Sequence, residues 1–186
     1  MSRFVPWRIE PLASPAWIHP CPGCARPARF ACAERFRVNA QQGRLDVWLL
    51  YHCSACGRTA KRRLQRRRPV ASFAPGRLAG YLANDPLLAR AHAFEIASDG
   101  PLPHRVVRPP LPGAGVLRAR VEQPLACGLR WDRLLALELG ASRAQVQRAW
   151  RCGRLRVEGV SSPARPVRDG QLLTAVIAST PSREAP

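Results

Sequence analysis

Two rhythms of apolar and polar positions run along the chain. From Arg35 to Tyr51 the rhythm is that of strands. Phe36 and Val38 alternate with polar neighbours, "QQG" (residues 41–43) supplies a turn ending in glycine, and "DVWLLY" (residues 46–51) is rich in strand formers. A β-hairpin is predicted there. Residues 84–97, "NDPLLARAHAFEIA", switch to a helical period. Asn84 or Asp85 supplies the cap, Pro86 fits the first turn, and Leu87, Leu88, Ala91 and Phe94, with Ile96 nearby, form the apolar stripe.

Two further short helices are written between residues 130 and 152. In the first, Trp131, Leu134, Leu135 and Leu139 share a side and Gly140 ends the run. In the second, Ser142 and Gln145 have capping-box spacing, and Val146, Ala149 and Trp150 point inward. Arg143, Gln147 and Arg151 form an i, i+4, i+8 row along its edge. "RLRVEGV" (residues 154–160) then reads as a strand and turn, and "VRDGQLLTAVI" (residues 167–177) as a turn and closing strand. The fold class expected is α+β in two parts. Residues 1–98 hold a cysteine-bearing hairpin with a helical extension, behind a Trp- and Pro-containing lead-in over residues 1–18. Residues 99–115, with five prolines and three glycines, are expected to be an extended linker. Residues 116–179 form a second unit, and residues 180–186 a frayed tail.

Charge changes this picture most. Thirty basic residues, all but one of them arginine, stand against 12 acidic ones, for a net charge of +18. Such a field favours polyanionic partners. The longest strongly apolar run, "VWLLY" (residues 47–51), is far too short to span a bilayer, so no membrane partner is expected. The opening 20 residues lack the continuous apolar core of a secretory signal, which points to a cytoplasmic location. Thiols stay reduced there, and cysteines then act as ligands or core residues rather than disulfides.

"CPGC" and "CSACG" place Cys21 with Cys24 and Cys53 with Cys56, on either side of the predicted hairpin. Each pair makes a tight turn that sets two thiolates on one side, and the strands bring the turns together. This is the logic of a four-cysteine zinc ribbon with one structural Zn²⁺. His19 and His52 lie beside the knuckles as alternative ligands, but four cysteines already satisfy the ion. Cys32, Cys127 and Cys152 lack paired spacing and read as small hydrophobes. A closed tetrathiolate leaves no open metal position for catalysis, and no convergent nucleophile and base is visible, so no enzyme is expected. After Cys56 come Lys61, Arg62, Arg63, Arg66, Arg67 and Arg68. This run is either a solvated face or a phosphate-contacting surface, and the stretch alone does not separate the two.

In the C-terminal part, Arg130-Trp131-Asp132 with Leu135, Ser142-Arg143, Gly153 to Gly159 and Val167 to Leu172 stand in the order of a known motif. This stretch of about 48 residues resembles the S-four (αL-type) RNA-binding domain, named for a small-subunit ribosomal protein. Glu158 and Gln171 depart from the usual Asn and Asp. The resemblance implies an RNA-facing surface on the second helix and adjoining turn, with Arg143, Arg151 and Arg154 foremost and Arg130 and Arg133 next. Arginine suits that task because its planar fork pairs with phosphate and stacks on bases. "PCPGC", "RFRVNAQQGRLDVWLLYHC", "NDPLLARAHAFEIA" and "RWDRLL" are also similar to an uncharacterised bacterial family of unknown function. Together these readings lead to a zinc-containing accessory protein that binds ribosomal or transfer RNA through backbone and shape. A protein-interaction adaptor using the zinc ribbon is the alternative, and an RNA-modifying enzyme the third.

Overall fold

The computed structural model describes residues 4–96 and 100–177. The chain divides into two compact units: an inserted one, Ala13–Gly100, and an outer one built from the segments before and after it. Strand β1 (Val5–Pro11) opens the chain and belongs to the outer unit.

The inserted unit is a four-stranded antiparallel sheet. Its strands are β2 (Trp17–Cys21), β3 (Arg26–Gln41), β4 (Arg44–Cys53) and β5 (Thr59–Pro69), in that spatial order. The predicted hairpin is β3–β4. Gln41 pairs with Arg44, so the loop is the two residues Gln42 and Gly43, both at positive φ. Two left-handed residues give the turn whose twist matches the strands. Along β4 the alternation is complete. Leu45, Val47, Leu49, Tyr51 and Cys53 are buried, and the residues between them are not.

Helices α1 (Pro75–Ala83) and α2 (Pro86–Ala93) cover that buried face. The Phe36 ring meets Tyr81 and His92 edge-on at 5.0 and 6.1 Å, and Tyr81 Oη lies 2.9 Å from His92 Nε2. The sequence pattern does not predict α1, because Gly76 and Gly80 lower its helix propensity. Gly80 permits the packing: a Cβ there would lie 2.9 Å from Leu88 Cδ2. Asp85 caps α2, accepting from Leu87 N–H, whereas Asn84 ends α1 in a left-handed conformation and accepts from Phe36 N–H at 2.6 Å. The α2 stripe is rotated from the predicted one. Ala89, His92 and Ala93 are buried and Leu87 is 75% exposed. The cause is His92, a polar residue that enters the core with its ring satisfied by Tyr81 and Glu95.

The outer unit also contains β6 (His104–Val107), β7 (Gly115–Glu122), α3 (Trp131–Glu138), α4 (Arg143–Arg151), β8 (Leu155–Val157) and β9 (Leu172–Ile177). Its five strands run β6-β1-β7-β9-β8, with only β1–β7 parallel. Trp7, Trp131, Leu134, Leu135 and Leu173 are fully buried at its core. Ser142 and Gln145 form the predicted capping box of α4.

The expected boundaries need correction. Within the expected lead-in, residues 4–12 do not belong to the cysteine unit: β1 hydrogen-bonds to strands that come about a hundred residues later in the sequence. The stretch 99–115 is not simply a linker, because Arg8–Pro11 pair with His104–Val107. Proline richness concealed this strand. Its prolines, Pro101, Pro103, Pro109 and Pro110, flank the four residues that enter the ladder, and β6 is an edge strand, where proline neighbours are tolerated. The expected tail, residues 180–186, lies outside the described residues, as do residues 97–99.

Candidate metal centre and nucleic-acid interface

Cys21 ends β2 and Cys53 ends β4, and Cys24 and Cys56 lie in the turns that follow. Their sulfurs all lie within 4.8 Å of one another, with Cys21–Cys56 at 3.5 Å and Cys24–Cys53 at 3.8 Å. A tetrahedron with metal–sulfur bonds of about 2.3 Å has edges of about 3.8 Å. The four side chains therefore fit a single thiolate-bound ion.

Each turn is closed by a backbone bond, spanning three residues in the first and four in the second. Cys24 N–H donates to Cys21 O at 3.1 Å, and Gly57 N–H to Cys53 O at 2.9 Å. The residue after each second cysteine is left-handed, Ala25 at φ 53° and Gly57 at φ 74°. Gly23 is required by space: a Cβ there would lie 3.2 Å from Cys56 Sγ and 2.8 Å from Arg58 Nε. Arg58 thus lies over the first knuckle, where its charge offsets thiolate charge.

Electrostatics divide the four sulfurs. Backbone N–H groups of Cys56 and Ala55 hold the Cys53 thiol down to about 6. Cys24 is raised to about 12, chiefly by hydrogen bonds with Cys56 and then Cys21, which favour its protonated form. Four thiolates at this spacing repel one another, so a cation is what lets all of them ionise together.

Neither histidine joins the cluster: His19 stacks on Trp17 at 4.2 Å, and His52 Nδ1 lies 3.2 Å from Thr59 Oγ1. Cys127 is buried and Cys32 half-buried, as small hydrophobes should be, and burial raises both thiols. Cys152 departs from that expectation. It is exposed, and N–H groups of Arg154 lower its pKa.

The basic run is strand β5, and its six cations have different duties. Arg62 is turned toward the helices, donating to His92 O at 2.9 Å and to Glu95 at 3.3 Å. Arg68 donates to Ser72 and lies over the Phe73 ring at 4.8 Å. Lys61, Arg63, Arg66 and Arg67 are exposed.

In the outer unit, the arginines around α3 and α4 also separate. Arg130 and Arg143 both donate to Oδ2 of the buried Asp132, at 3.0 Å from Arg130 Nη2 and 3.0 Å from Arg143 Nε. With Arg133 they line a hollow of 250 Å³. Arg143 is therefore partly committed to holding α3 and α4 together. Arg151, Arg154 and Arg133 are exposed. A second hollow, of 440 Å³, is lined by Trp150, Arg151, Cys152, Leu155 and Arg156 among others. Arg148 and Arg156 are exposed too, and sequence reasoning misses them because neither lies on the i, i+4, i+8 row of α4. Gln171, where the αL-type pattern has Asp, accepts from Trp131 Nε1 at 3.1 Å and from Arg168 N–H at 2.8 Å.

Residues 38–100 match the model of a family described as a protein of unknown function (DUF1062). The match covers about a third of the chain and lies inside the inserted unit. It takes in Cys53 and Cys56 but not Cys21 and Cys24. The chain is similar to that family over this segment. No curated protein and no solved structure matches it. Among the described residues, no helix is long and apolar enough to cross a membrane.

Proposed function

We propose that the protein is a zinc-containing RNA-binding accessory protein that recognises ribosomal or transfer RNA through backbone and shape. The observation that carries this reading is the stretch from Arg143 to Arg156. It places five arginines on α4 and the following turn and strand, all of them exposed, with no acidic residue between them. Val146 is the inward anchor, leaving Arg143, Gln147, Arg148 and Arg151 on the outward side of the helix. Such a surface neutralises phosphates along a folded RNA. Asp132 fixes Arg143 at one end of it, so that guanidinium is oriented before any ligand arrives. The helix–turn–strand order and the anchors from Arg130 to Leu172 support an αL-type RNA-binding module.

The metal in this reading is Zn²⁺. Four sulfurs at tetrahedral spacing select a thiolate-preferring ion, and a closed set of four protein ligands assigns it to structure rather than catalysis. The ion ties two turns of the inserted unit together.

The test is binding of the full-length protein to total cellular RNA across a salt series. Wild type is compared with Arg148→Glu, Arg151→Glu and Arg154→Glu combined, a set that spares the Arg143–Asp132 contact. The expected result is a steep fall of affinity with salt, and a loss of at least tenfold in the triple variant. Equal affinity in the two proteins would remove this surface from the proposal. Recovery of one protein partner after nuclease treatment, without RNA binding, would favour an adaptor instead.

A further inference from the structure

The sheet of the inserted unit has two faces, and α1 and α2 pack on only one of them. Register shows what the other carries. In antiparallel strands directly opposed residues share a face. Arg37 of β3 is opposite Trp48 of β4, and Trp48 is opposite Arg63 of β5. Arg37 adjoins the buried Phe36, and Trp48 stands between the buried Val47 and Leu49, so the three point away from the helices. On the same face Lys61 opposes Leu50, and His52 opposes both Ala31 and Thr59.

Arg37, Lys61 and Arg63 are exposed and Trp48 is half-buried. None of the three cations has an ion-pair partner among the described residues, and the Arg63 guanidinium lies 5.9 Å from the Trp48 ring centre. That distance is at the outer limit of a cation–π contact, so the guanidinium is held only weakly over the ring and a base that stacks there displaces it. Asp46 also sits on this face, its carboxylate accepting from Arg67 N–H at 3.1 Å.

A large aromatic ring on the outward face of a sheet is not explained by the core. Here it lies between an arginine on each neighbouring strand. This combination suits a ligand with a flat apolar face and negative charge on both sides, which is a base with its flanking phosphates. A rigid duplex keeps its bases stacked inside and cannot offer one to a sheet, whereas an unpaired strand can.

We propose that this face binds an unpaired RNA segment, with one base stacked on Trp48 and the adjoining phosphates held by Arg37 and Arg63, Lys61 extending the track. The proposal rests on the RNA-binding reading above and adds a second surface and the class of RNA it takes. It also divides the basic run by role, with Lys61 and Arg63 facing ligand while Arg62 and Arg68 hold the fold.

The test is fluorescence anisotropy of the full-length, metal-loaded protein with labelled oligo(U) of about a dozen nucleotides, beside an RNA duplex of equal length. Trp48→Ala should weaken oligo(U) binding about 5- to 150-fold without changing the salt slope, and leave duplex binding unchanged. Trp48→Phe, which keeps an aromatic face, should restore most of the loss. Arg37→Ala with Arg63→Ala should lower the salt slope by about 1.4, about 0.7 for each phosphate that a single strand no longer has neutralised. Metal content and the circular dichroism spectrum verify that each variant is folded.

Unchanged oligo(U) affinity in folded Trp48→Ala would overturn the platform. If Arg148→Glu, Arg151→Glu and Arg154→Glu together still lowered RNA binding, the broader RNA reading would survive that failure. No RNA binding by wild type at low salt would end both.

Discussion

Removing the metal should unfold the inserted unit and spare the outer one. The inserted unit spans Ala13–Gly100, and at about 0.05–0.15 kcal/mol per residue its stability is about 4–13 kcal/mol. A structural zinc site contributes about 10–16 kcal/mol of apparent binding free energy. The two quantities are of similar size, so the unit has no surplus with which to survive loss of the ion. Geometry agrees, since Cys21 and Cys53 are themselves members of its core, packed with Phe30 and Tyr51. The outer unit has a separate core around Trp7, Trp131 and Leu173 that includes none of the four ligands. Hydrogen exchange resolved by segment is the suitable assay, on wild type with and without a strong chelator and on Cys53→Ser. Amides of β3 and β4 should lose protection by several orders of magnitude, while those of β7 and β9 change little. If β3 and β4 kept protection within about tenfold of the metal-loaded protein, a shift of about 1.4 kcal/mol, the cluster would not be what holds the unit together.

Other consequences can be checked with single substitutions. Asp132→Ala should cost about 2–3 kcal/mol in urea unfolding, because a buried carboxylate loses charge-assisted bonds to Arg130 and Arg143. A double-mutant cycle with Arg143→Ala should show coupling near 1 kcal/mol, and additive losses would mean that the pair is not coupled. Ala25→Gly should stabilise the inserted unit by up to about 1 kcal/mol, since Ala25 stands at φ 53° where Gly57 occupies the matching place in the other knuckle. Gly23→Ala should do the opposite and weaken metal retention, because its new methyl would press on Cys56 Sγ. Cys152 should alkylate faster than Cys32 or Cys127 in the native protein, as it is exposed and its pKa is lowered by Arg154 whereas burial raises theirs. With a lowered pKa, its rate should level off at a lower pH than that of an ordinary thiol, which a pH series of iodoacetamide labelling would show.

What could be read from the sequence depended on how local the cause was. The β3–β4 hairpin, the α4 capping box and the paired knuckles are each set within a few residues, and the pattern displayed them. Strand β1 is set by partners at Ala119 and Val107, which no window around residue 8 can reveal. Helix α1 was hidden by glycines, one of which makes room for the close approach of Leu88. Trp48 was legible only as a strand former, because its exposure follows from which face the helices cover. Arg143 looked like a free charge until the fold brought Asp132, eleven residues away, to it, whereas the Arg130–Asp132 pair is local in sequence.

The place of β1 has a consequence for biosynthesis. It lies between β6 and β7 in the sheet, so it cannot be paired on both sides until translation has passed residue 122. At about 5–20 residues per second the opening strand waits roughly 6–20 s for those neighbours, while the cysteine unit emerges complete in the interval. Synthesis thus makes the cysteine unit available to fold before the unit that encloses it in sequence. Any fragment beginning after residue 100 would be released with an empty slot in the middle of its sheet.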